Sequence, residues 1–471
     1  MTFDEYNRYD ATGLASLIAS REVTAAEVTE AAIAAIESLN PGLNAVIAPL
    51  FELARGSVRA GLPAGPFSGV PYLLKDLNTW VAGAPATNGC RALRDFVPTR
   101  DSVLVTRLRT AGLVILGKTN TPEFGLNICT SPALFGPTPN PFDSQRSAGG
   151  SSGGSACAVA AGMVPAAHAT DSGGSIRIPA SNCGLFGLKP SRARVPLGND
   201  QAEGLAGFSS VHALSHSVRD SALLLELTAG PMAGDIYSAE SPDKPFSECV
   251  EMPLPHLKVA LWTEGYAGES IHRECQSAAR EAAHLCESLG CEVEETRPAI
   301  DGQALRHAFD VLFSANLRAV VSVIVTSHAG QAVESLVEPI TFACSEAAAS
   351  RTAADYVTAL QITHQSARVL GQFFEKFDIL LTPTLANPPL ALGTIDMQSS
   401  DWSAYLNSML DEIPFTPLFN ATGAPAASVP LGSCAAGLPV GVQFGAALGR
   451  EDTLLRLAAA LEQAAPWHQR I

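Results

Sequence analysis

Residues 147–180 read SAGGSSGGSACAVAAGMVPAAHATDSGGSIRIPA. Two Gly/Ser clusters, GGSSGGS and DSGGS, lie on either side of a segment of small and apolar residues. Glycine at this density is costly to order, so it marks tight turns or places where the backbone closely approaches a ligand. A flexible linker is the alternative interpretation of such a composition. However, the segment between the clusters is apolar and predicted to be buried, whereas a linker is solvated.

The second cluster predicts a nucleophilic serine. Gly173, Gly174 and Ser175 can present successive backbone N–H groups to one point, which forms an anion-binding turn. A serine there can attack a carbonyl carbon while those N–H groups stabilise the developing oxyanion. The first cluster contains GGSSG (149–153), which matches the GxSxG nucleophile elbow. That elbow follows a buried strand, whereas the polar residues NPFDSQRSA precede this one, so an α/β-hydrolase is not expected.

A serine nucleophile needs a base. None of the ten histidines has a context that marks it as this base, and His168 lies in an apolar run typical of a core residue. A buried lysine can serve instead, because desolvation favours its neutral form. Lys75 follows the apolar run VPYLL and is the leading candidate, with an ion pair to Asp76 or exposure to solvent as the structural alternative. Lys118 and Lys189 are competing candidates.

One nucleotide-binding motif also matches. The segment GLVILGKT (112–119) fits the phosphate-loop pattern GxxxxGK[ST]. A phosphate-binding loop needs a flexible backbone after its strand, but residues 113–116 are strand-forming apolar side chains. Nucleotide binding is therefore not expected.

Several segments together resemble the amidase signature family, which are serine hydrolases with a Ser–cis-Ser–Lys triad. The resemblance covers nearly the whole chain and rests on the blocks GVPYLLKD, GKTNTPEFG, GGSSGGSACAVAAGMVP, TDSGGSIRIPASNCGLFGLKPS, LFNATGAPAASVPL and GLPVGVQFGA. Within the family, the segments AVIAPLFELAR, GPFSGVPYLLKDL and GLKPSRAR look most like those of the 6-aminohexanoate cyclic dimer hydrolases. The resemblance implies an amidase-signature fold and the cleavage of amide C–N bonds.

The resemblance also implies roles for particular residues. By position, the nucleophile falls on Ser175, the base on Lys75 and the cis-serine on Ser151, which lies 175 − 151 = 24 residues before the nucleophile. Neutral Lys75 would accept the proton of Ser151, which in turn takes the proton of Ser175 during attack. The family's oxyanion hole corresponds here to the backbone N–H groups of Ser172, Gly173, Gly174 and Ser175.

The same likeness implies a substrate pocket. Gly125, Leu126 and Asn127 correspond to the acyl pocket, and the apolar side chain of Leu126 suggests an apolar acyl or aryl group. Arg177 either binds a substrate carboxylate or makes structural pairings with Asp171 or backbone carbonyls. Small or medium amides are the expected substrates. Carbamates and esters are close variants, because they react through the same tetrahedral chemistry.

An amidotransferase subunit that acts in a complex is the main alternative. The family's glutamine-dependent tRNA amidotransferase subunits typically carry a glutamine after the arginine of GGSIR, and here that position is Ile178. The segment FSSVHALSHSVRD (208–220) also differs from theirs. A non-catalytic binding protein on the same fold is a further alternative, but it would have no use for Lys75, Ser151 and Ser175 together.

Strand-like apolar segments alternate with helical patterns along the chain. This alternation indicates an α/β fold with a large mixed sheet covered by helices on both faces. Strand-like core segments lie on both sides of a helical region at about residues 301–375. We therefore expect a single amidase-signature domain over residues 1–471, with the signature core at about 66–230 and the divergent helical region shaping the pocket.

Composition limits the partners. The chain has a net charge of −16, which predicts a protein that does not bind nucleic acids or anionic membranes. Only 16% of its residues are charged, which predicts a well-packed core.

Residues 307–326 are apolar but interrupted by Asp310, Asn316 and Arg318, so a buried helix is expected there rather than a membrane span. Ten scattered cysteines and a polar start, MTFDEYNRYD, favour a cytoplasmic protein with reduced thiols. We expect an enzyme without metal or cofactor that binds a small-molecule amide, with a homodimer as an open alternative.

Overall fold

The computed structural model of the protein describes residues 1–197 and 201–467. Its strands are β1 (Val46–Pro49), β2 (Pro71–Lys75), β3 (Val114–Thr119), β4 (Pro139–Asn140), β5 (Asp143–Ser147), β6 (Ala166–Asp171), β7 (Phe186–Lys189), β8 (Ser210–Ser215), β9 (Lys258–Leu261), β10 (Glu292–Glu295), β11 (Ile379–Pro383), β12 (Ala426–Ser433) and β13 (Pro439–Ala446). Eleven of these strands form one sheet in the order β1-β3-β2-β6-β8-β7-β12-β13-β11-β9-β10, and β4 pairs with β5 separately.

The helices occur between and after these strands. They are α1 (Phe3–Tyr6), α2 (Ala11–Ala19), α3 (Ala25–Leu43), α4 (Phe51–Ala60), α5 (Val103–Thr110), α6 (Gly153–Ala160), α7 (Arg177–Cys183), α8 (Val218–Thr228), α9 (Phe246–Cys249), α10 (Arg273–Ser288), α11 (Gly302–Ser327), α12 (Val333–Leu336), α13 (Pro339–Ala347), α14 (Ala353–Phe373), α15 (Trp402–Glu412), α16 (Thr416–Thr422) and α17 (Glu451–Ala464). Short 3-10 turns lie at Arg91–Leu93 and Glu123–Gly125.

The large sheet is mixed and buried on both faces. β2 is parallel to β3 and β6, and β9 is parallel to β10 and β11. In the central run β6-β8-β7-β12-β13-β11, each strand is antiparallel to the next. Successive side chains of a strand point to opposite faces. On β11, Ile379 and Leu381 belong to one apolar core, which includes α10, and Leu380 belongs to a second core, which includes α11 and α15. The predicted α/β fold with a large mixed sheet between helices is confirmed.

The predicted helical region is present as α11 to α14. Helix α11 packs against α13 and α14 and supplies many residues of the second core. By length and composition α11 is also apolar enough to cross a membrane, with a mean hydropathy of 1.7 in its most apolar segment, 44% of which is buried inside the protein.

Two neighbouring strands bring the predicted site residues to one edge of the sheet. β2 ends at Lys75 and β6 ends at Asp171, and the two strands pair in parallel through Leu73 and Ala167. The carboxyl ends of adjacent parallel strands lie at the same edge, so the two ends are neighbours. The turn that carries Ser175 follows β6 directly.

Candidate active site

Lys75 is buried at the end of β2 among three hydroxyl groups. Its Nζ lies 2.7 Å from Ser151 Oγ, 2.9 Å from Ser152 Oγ and 2.7 Å from Thr170 Oγ1. Burial lowers the pKa of Lys75 well below its usual value, and the negative charge of Asp171 opposes this shift. The amine therefore loses its proton more readily than a lysine in water, which is what a lysine base requires.

The two serines beside Lys75 have different hydrogen bonds. The peptide bond between Gly150 and Ser151 is cis, as the resemblance implies. Ser152 Oγ donates to the carbonyl oxygen of Thr170 at 3.2 Å, so its hydroxyl proton is directed away from the lysine. Ser151 is therefore the hydroxyl suited to exchange a proton with Lys75. The backbone N–H of Ser152 donates to the carbonyl oxygen of Ser175 at 3.3 Å, which ties the two Gly/Ser clusters together.

Asp171 organises the turn that carries Ser175. Its buried carboxylate accepts the backbone N–H groups of Gly174 at 2.8 Å and Ile176 at 3.2 Å, one on each side of the serine. Burial alone would raise the pKa of Asp171, but the charge and hydrogen bonds of Arg177 lower it to about 2. The carboxylate is therefore ionised at neutral pH, and it holds the turn by charge-assisted hydrogen bonds.

The predicted oxyanion hole needs one correction. The sequence predicts that the N–H of Gly174 faces the substrate, but in the structure this N–H donates to Asp171. The reason is that the buried carboxylate of Asp171 accepts the N–H groups of both Gly174 and Ile176 and so directs the N–H of Gly174 toward itself. The backbone N–H groups of Ser172, Gly173 and Ser175 remain the groups predicted to donate hydrogen bonds to the oxyanion.

Arg177 is fully engaged with the protein. A guanidinium has five N–H donors. Two of them reach the carboxylate oxygens of Asp171 at 2.9 Å. The other three reach the carbonyl oxygen of Thr416, the side chain of Gln443 and the side chain of Asn420, at 2.9, 2.7 and 2.6 Å. Because no donor is left for a substrate carboxylate, the predicted substrate-binding role of Arg177 is wrong, and its structural alternative explains the residue.

The competing lysines have other partners. Lys118 forms an ion pair with Asp76 at 3.0 Å and donates to the carbonyl oxygen of Thr79 at 2.6 Å. Lys189 donates to the carbonyl oxygen of Pro190 at 2.7 Å. Lys118 also lies within β3, so the segment that matches the phosphate-loop pattern is a buried strand rather than a loop.

A narrow cleft with a free volume of about 60 Å³, partly open to solvent, leads to Ser151 and Ser175. The predicted pocket residues Gly125, Leu126 and Asn127 line it. The sequence did not predict the side chains that form the rest of its apolar wall, which are Leu77, Ile178, Leu205, Phe309, Phe313, Met409, Leu410 and Ile413. A larger cleft of about 620 Å³ near the N-terminal helices shares none of these described lining residues.

The loop at Gly125 fits closely around Ser151. Gly125 has a φ of +71°, and a Cβ atom there would lie 3.1 Å from Ser151 Oγ and 3.0 Å from Leu77 Cδ2. Only glycine provides this space without strain. The side chain of Asn127 accepts the N–H of Cys129 at 2.8 Å and donates to a carbonyl oxygen of the chain at 3.0 Å, so it shapes the loop from within.

Glu123 anchors this loop to the helical region. Its carboxylate is buried and accepts the backbone N–H of Glu338 at 2.8 Å, just before α13. Burial raises the pKa of Glu123 to about 7, despite hydrogen bonds that favour its charged form, and the nearby charge of Glu338 adds to the increase. The next residue, Phe124, has a left-handed φ of +51° and lines the cleft.

We expect Glu123→Gln to flatten the pH dependence of stability. A folded-state pKa near 7 against an unfolded value near 4.5 means that the folded protein binds the proton more tightly. The free energy of unfolding therefore falls as pH rises from 4.5 to 7, by about 3 kcal/mol for this group. Glutamine keeps the acceptor for the N–H of Glu338 and has no proton to lose. Denaturant unfolding at pH 5 and pH 8 measures the difference, with the exposed Glu37→Gln as control. If Glu123→Gln left the change in the free energy of unfolding between pH 5 and pH 8 as it is in the wild type, the prediction would be contradicted.

Comparison with known proteins identifies the family of the chain. The Amidase family profile matches residues 27–455. The chain is 37% identical to a 6-aminohexanoate-cyclic-dimer hydrolase of Paenarthrobacter ureafaciens over 97% of this chain and 95% of the relative. It is 32% identical to an acylamidase of Rhodococcus erythropolis over 99% and 98% of the two chains. A solved structure of 6-aminohexanoate cyclic dimer hydrolase complexed with substrate superposes with a TM-score of 0.93 and 35% identity, covering 98% of each chain.

The family profile spans most of the chain, and the two relatives match it almost from end to end. Both relatives are named for hydrolysis of amide bonds, and the solved structure shares the large mixed sheet. The chain therefore belongs to the amidase family and is an amidase-signature amidohydrolase that acts on amide C–N bonds other than peptide bonds.

Proposed function

We propose that the protein hydrolyses amides through an acyl-enzyme on Ser175. The Ser175 hydroxyl attacks the amide carbonyl carbon, and the C–O bond forms as the carbonyl becomes an oxyanion. The backbone N–H groups of Ser172, Gly173 and Ser175 stabilise this oxyanion. The C–N bond then breaks, the amine departs, and water releases the acid from Ser175.

Ser151 and Lys75 move the protons in this proposal. During attack the proton of Ser175 passes to Ser151, whose own proton passes to the lone pair of neutral Lys75. The proton then returns through Ser151 to the departing amine nitrogen. The two N–H groups of neutral Lys75 donate to Ser152 and Thr170, which orients its lone pair toward Ser151.

The observation that carries the proposal is the set of contacts of Lys75. A buried lysine normally pairs with a carboxylate, because an isolated charge in an apolar setting is very costly. The three side-chain contacts of Lys75 are neutral hydroxyl groups within 2.9 Å, in the part of the chain that the structure describes. Such surroundings favour a neutral amine, and one of the hydroxyls belongs to the serine next to the cleft.

Small and medium amides are the proposed substrates, with carbamates and esters as close variants. The cleft beside Ser175 is partly open to solvent and lined mainly by apolar side chains, which suits a small organic amide. All three compound classes form the same tetrahedral intermediate, so the oxyanion donors serve each of them.

A substrate panel tests this function. The purified chain is incubated with anilides, alkyl amides, carbamates and cyclic amides, and amine or alcohol release is followed. We expect release from at least one class without any partner protein or nucleotide, together with an acyl adduct on the peptide that contains Ser175. Release only in the presence of glutamine, ATP and partner chains would instead support the amidotransferase alternative.

A further inference from the structure

The cleft next to Ser175 has no charged lining in the described part of the chain. Its polar lining consists of hydroxyl groups, backbone groups and the amide of Asn127. Of the charged residues near lining residues in the sequence, Asp171 is paired with Arg177, and Lys75 contacts hydroxyl groups of the protein. A charged group on a substrate would therefore enter this cleft without a counter-charge.

Two helices build the apolar wall of the cleft. Phe309 and Phe313 are one turn apart on α11, so they project from the same helix face, and their rings stack with centroids 5.2 Å apart. Met409, on α15, also lines the cleft and is buried, with 5% of its surface exposed. A Cβ atom placed on Gly173 would lie 3.3 Å from Phe309 Cζ. The wall therefore begins at the predicted oxyanion hole.

A series of aromatic contacts holds this wall in place. Phe313 stacks on Trp402 with ring centroids 6.4 Å apart, and Trp402 stacks on Tyr405 at 6.0 Å. The hydroxyl of Tyr405 donates to the carbonyl oxygen of Leu126 at 2.9 Å, on the loop that also lines the cleft. Trp402 Nε1 also donates to Asp310 at 2.7 Å. These contacts connect α11 and α15 with each other and with the loop at Leu126.

We propose that Phe309, Phe313 and Met409 select amides with uncharged, hydrophobic acyl groups and reject acyl groups that end in a carboxylate. This inference rests on the proposed acyl-enzyme on Ser175. An acyl group bonded to that serine has its carbonyl oxygen at the oxyanion hole, where Phe309 begins the wall. Its chain then extends along the wall, and a terminal charge would lose its hydration without gaining a partner.

Two matched anilides test the selection. Hexanoic acid anilide and adipic acid monoanilide have acyl chains of the same length and the same leaving group, and they differ in a terminal carboxylate. We expect kcat/KM of the wild type to be about 100-fold or more higher for the neutral compound. A carboxylate placed on the aniline ring of hexanoic acid anilide should lower kcat/KM much less. The reverse order would overturn the assignment of the wall to the acyl group.

Substitution of Met409 tests the wall itself. Met409→Lys places a cation among the side chains that line the cleft, so the ratio of kcat/KM for the adipic compound to that for the hexanoic compound should rise about 10-fold or more. Met409→Leu keeps the wall apolar and should leave that ratio low. If the wild type cleaves both anilides equally, the selection is overturned and the proposed hydrolysis stands. If the wild type cleaves no amide of any kind, the proposed function is overturned as well.

Discussion

Ser175→Ala should lower kcat/KM for any amide substrate by about 10⁴-fold or more, because it removes the only atom proposed to bond to the acyl group. The substitution deletes one oxygen from a half-buried side chain and leaves the backbone N–H groups of the turn in place. Binding and oxyanion stabilisation therefore persist, and the loss falls on the chemical step. Amine release measured at substrate concentrations above and below KM separates these contributions.

Ser209→Ala is the matched control for this variant. Ser209 is also half-buried and lies close to the same turn, where its hydroxyl contacts that of Ser172 at 2.8 Å. Its loss removes a neighbouring hydroxyl without touching the proposed nucleophile, so kcat/KM should change less than about tenfold. Mass spectrometry should detect an acyl adduct in the wild type and in Ser209→Ala but not in Ser175→Ala. Persistent activity of Ser175→Ala would contradict the assignment of the nucleophile.

Parts of this site could be predicted because they lie at the ends of strongly marked segments. Lys75 ends an apolar run, and Ser175 lies in a Gly/Ser cluster that, next to apolar segments, indicates a tight turn. Thr170 contacts Lys75 as closely as Ser151 does, yet it was missed. That contact depends on the pairing of β2 with β6, and local sequence does not specify which strands are neighbours.

The residues of the cleft wall could not be predicted from the sequence, for a related reason. Phe309 and Met409 belong to helices whose apolar residues would suit any buried core, so the pattern predicts the helices but not which residues face the substrate. Arg177 shows the same limit. Its acceptors Gln443 and Asn420 are supplied by β13 and α16, far away in sequence, and only the assembled fold shows that no donor is left for a ligand.

Lys75→Met should lower kcat/KM by about 10³-fold, since a general base contributes roughly 10²–10⁴ to such reactions. Methionine fills a similar volume in the buried site and cannot accept a proton. The pH profile gives the more specific test. Lysine is a base only when neutral, and burial lowers the pKa of Lys75, so wild-type activity should be lost as pH falls through that lowered pKa. The residual activity of Lys75→Met should lack this acidic limb.

Lys189→Met distinguishes a proton acceptor from a buried amine in general. Lys189 is equally buried, and burial lowers its pKa to about 7, yet its Nζ donates to the carbonyl oxygen of Pro190 rather than to a serine. Either lysine could therefore produce an acidic limb, but of the two only Lys75 contacts Ser151 in the described structure. If Lys189→Met keeps the limb and Lys75→Met loses it, Lys75 is the group that titrates. If the limb disappears with Lys189 instead, the proton path through Ser151 is wrong, because no contact connects Lys189 with that serine in the described structure.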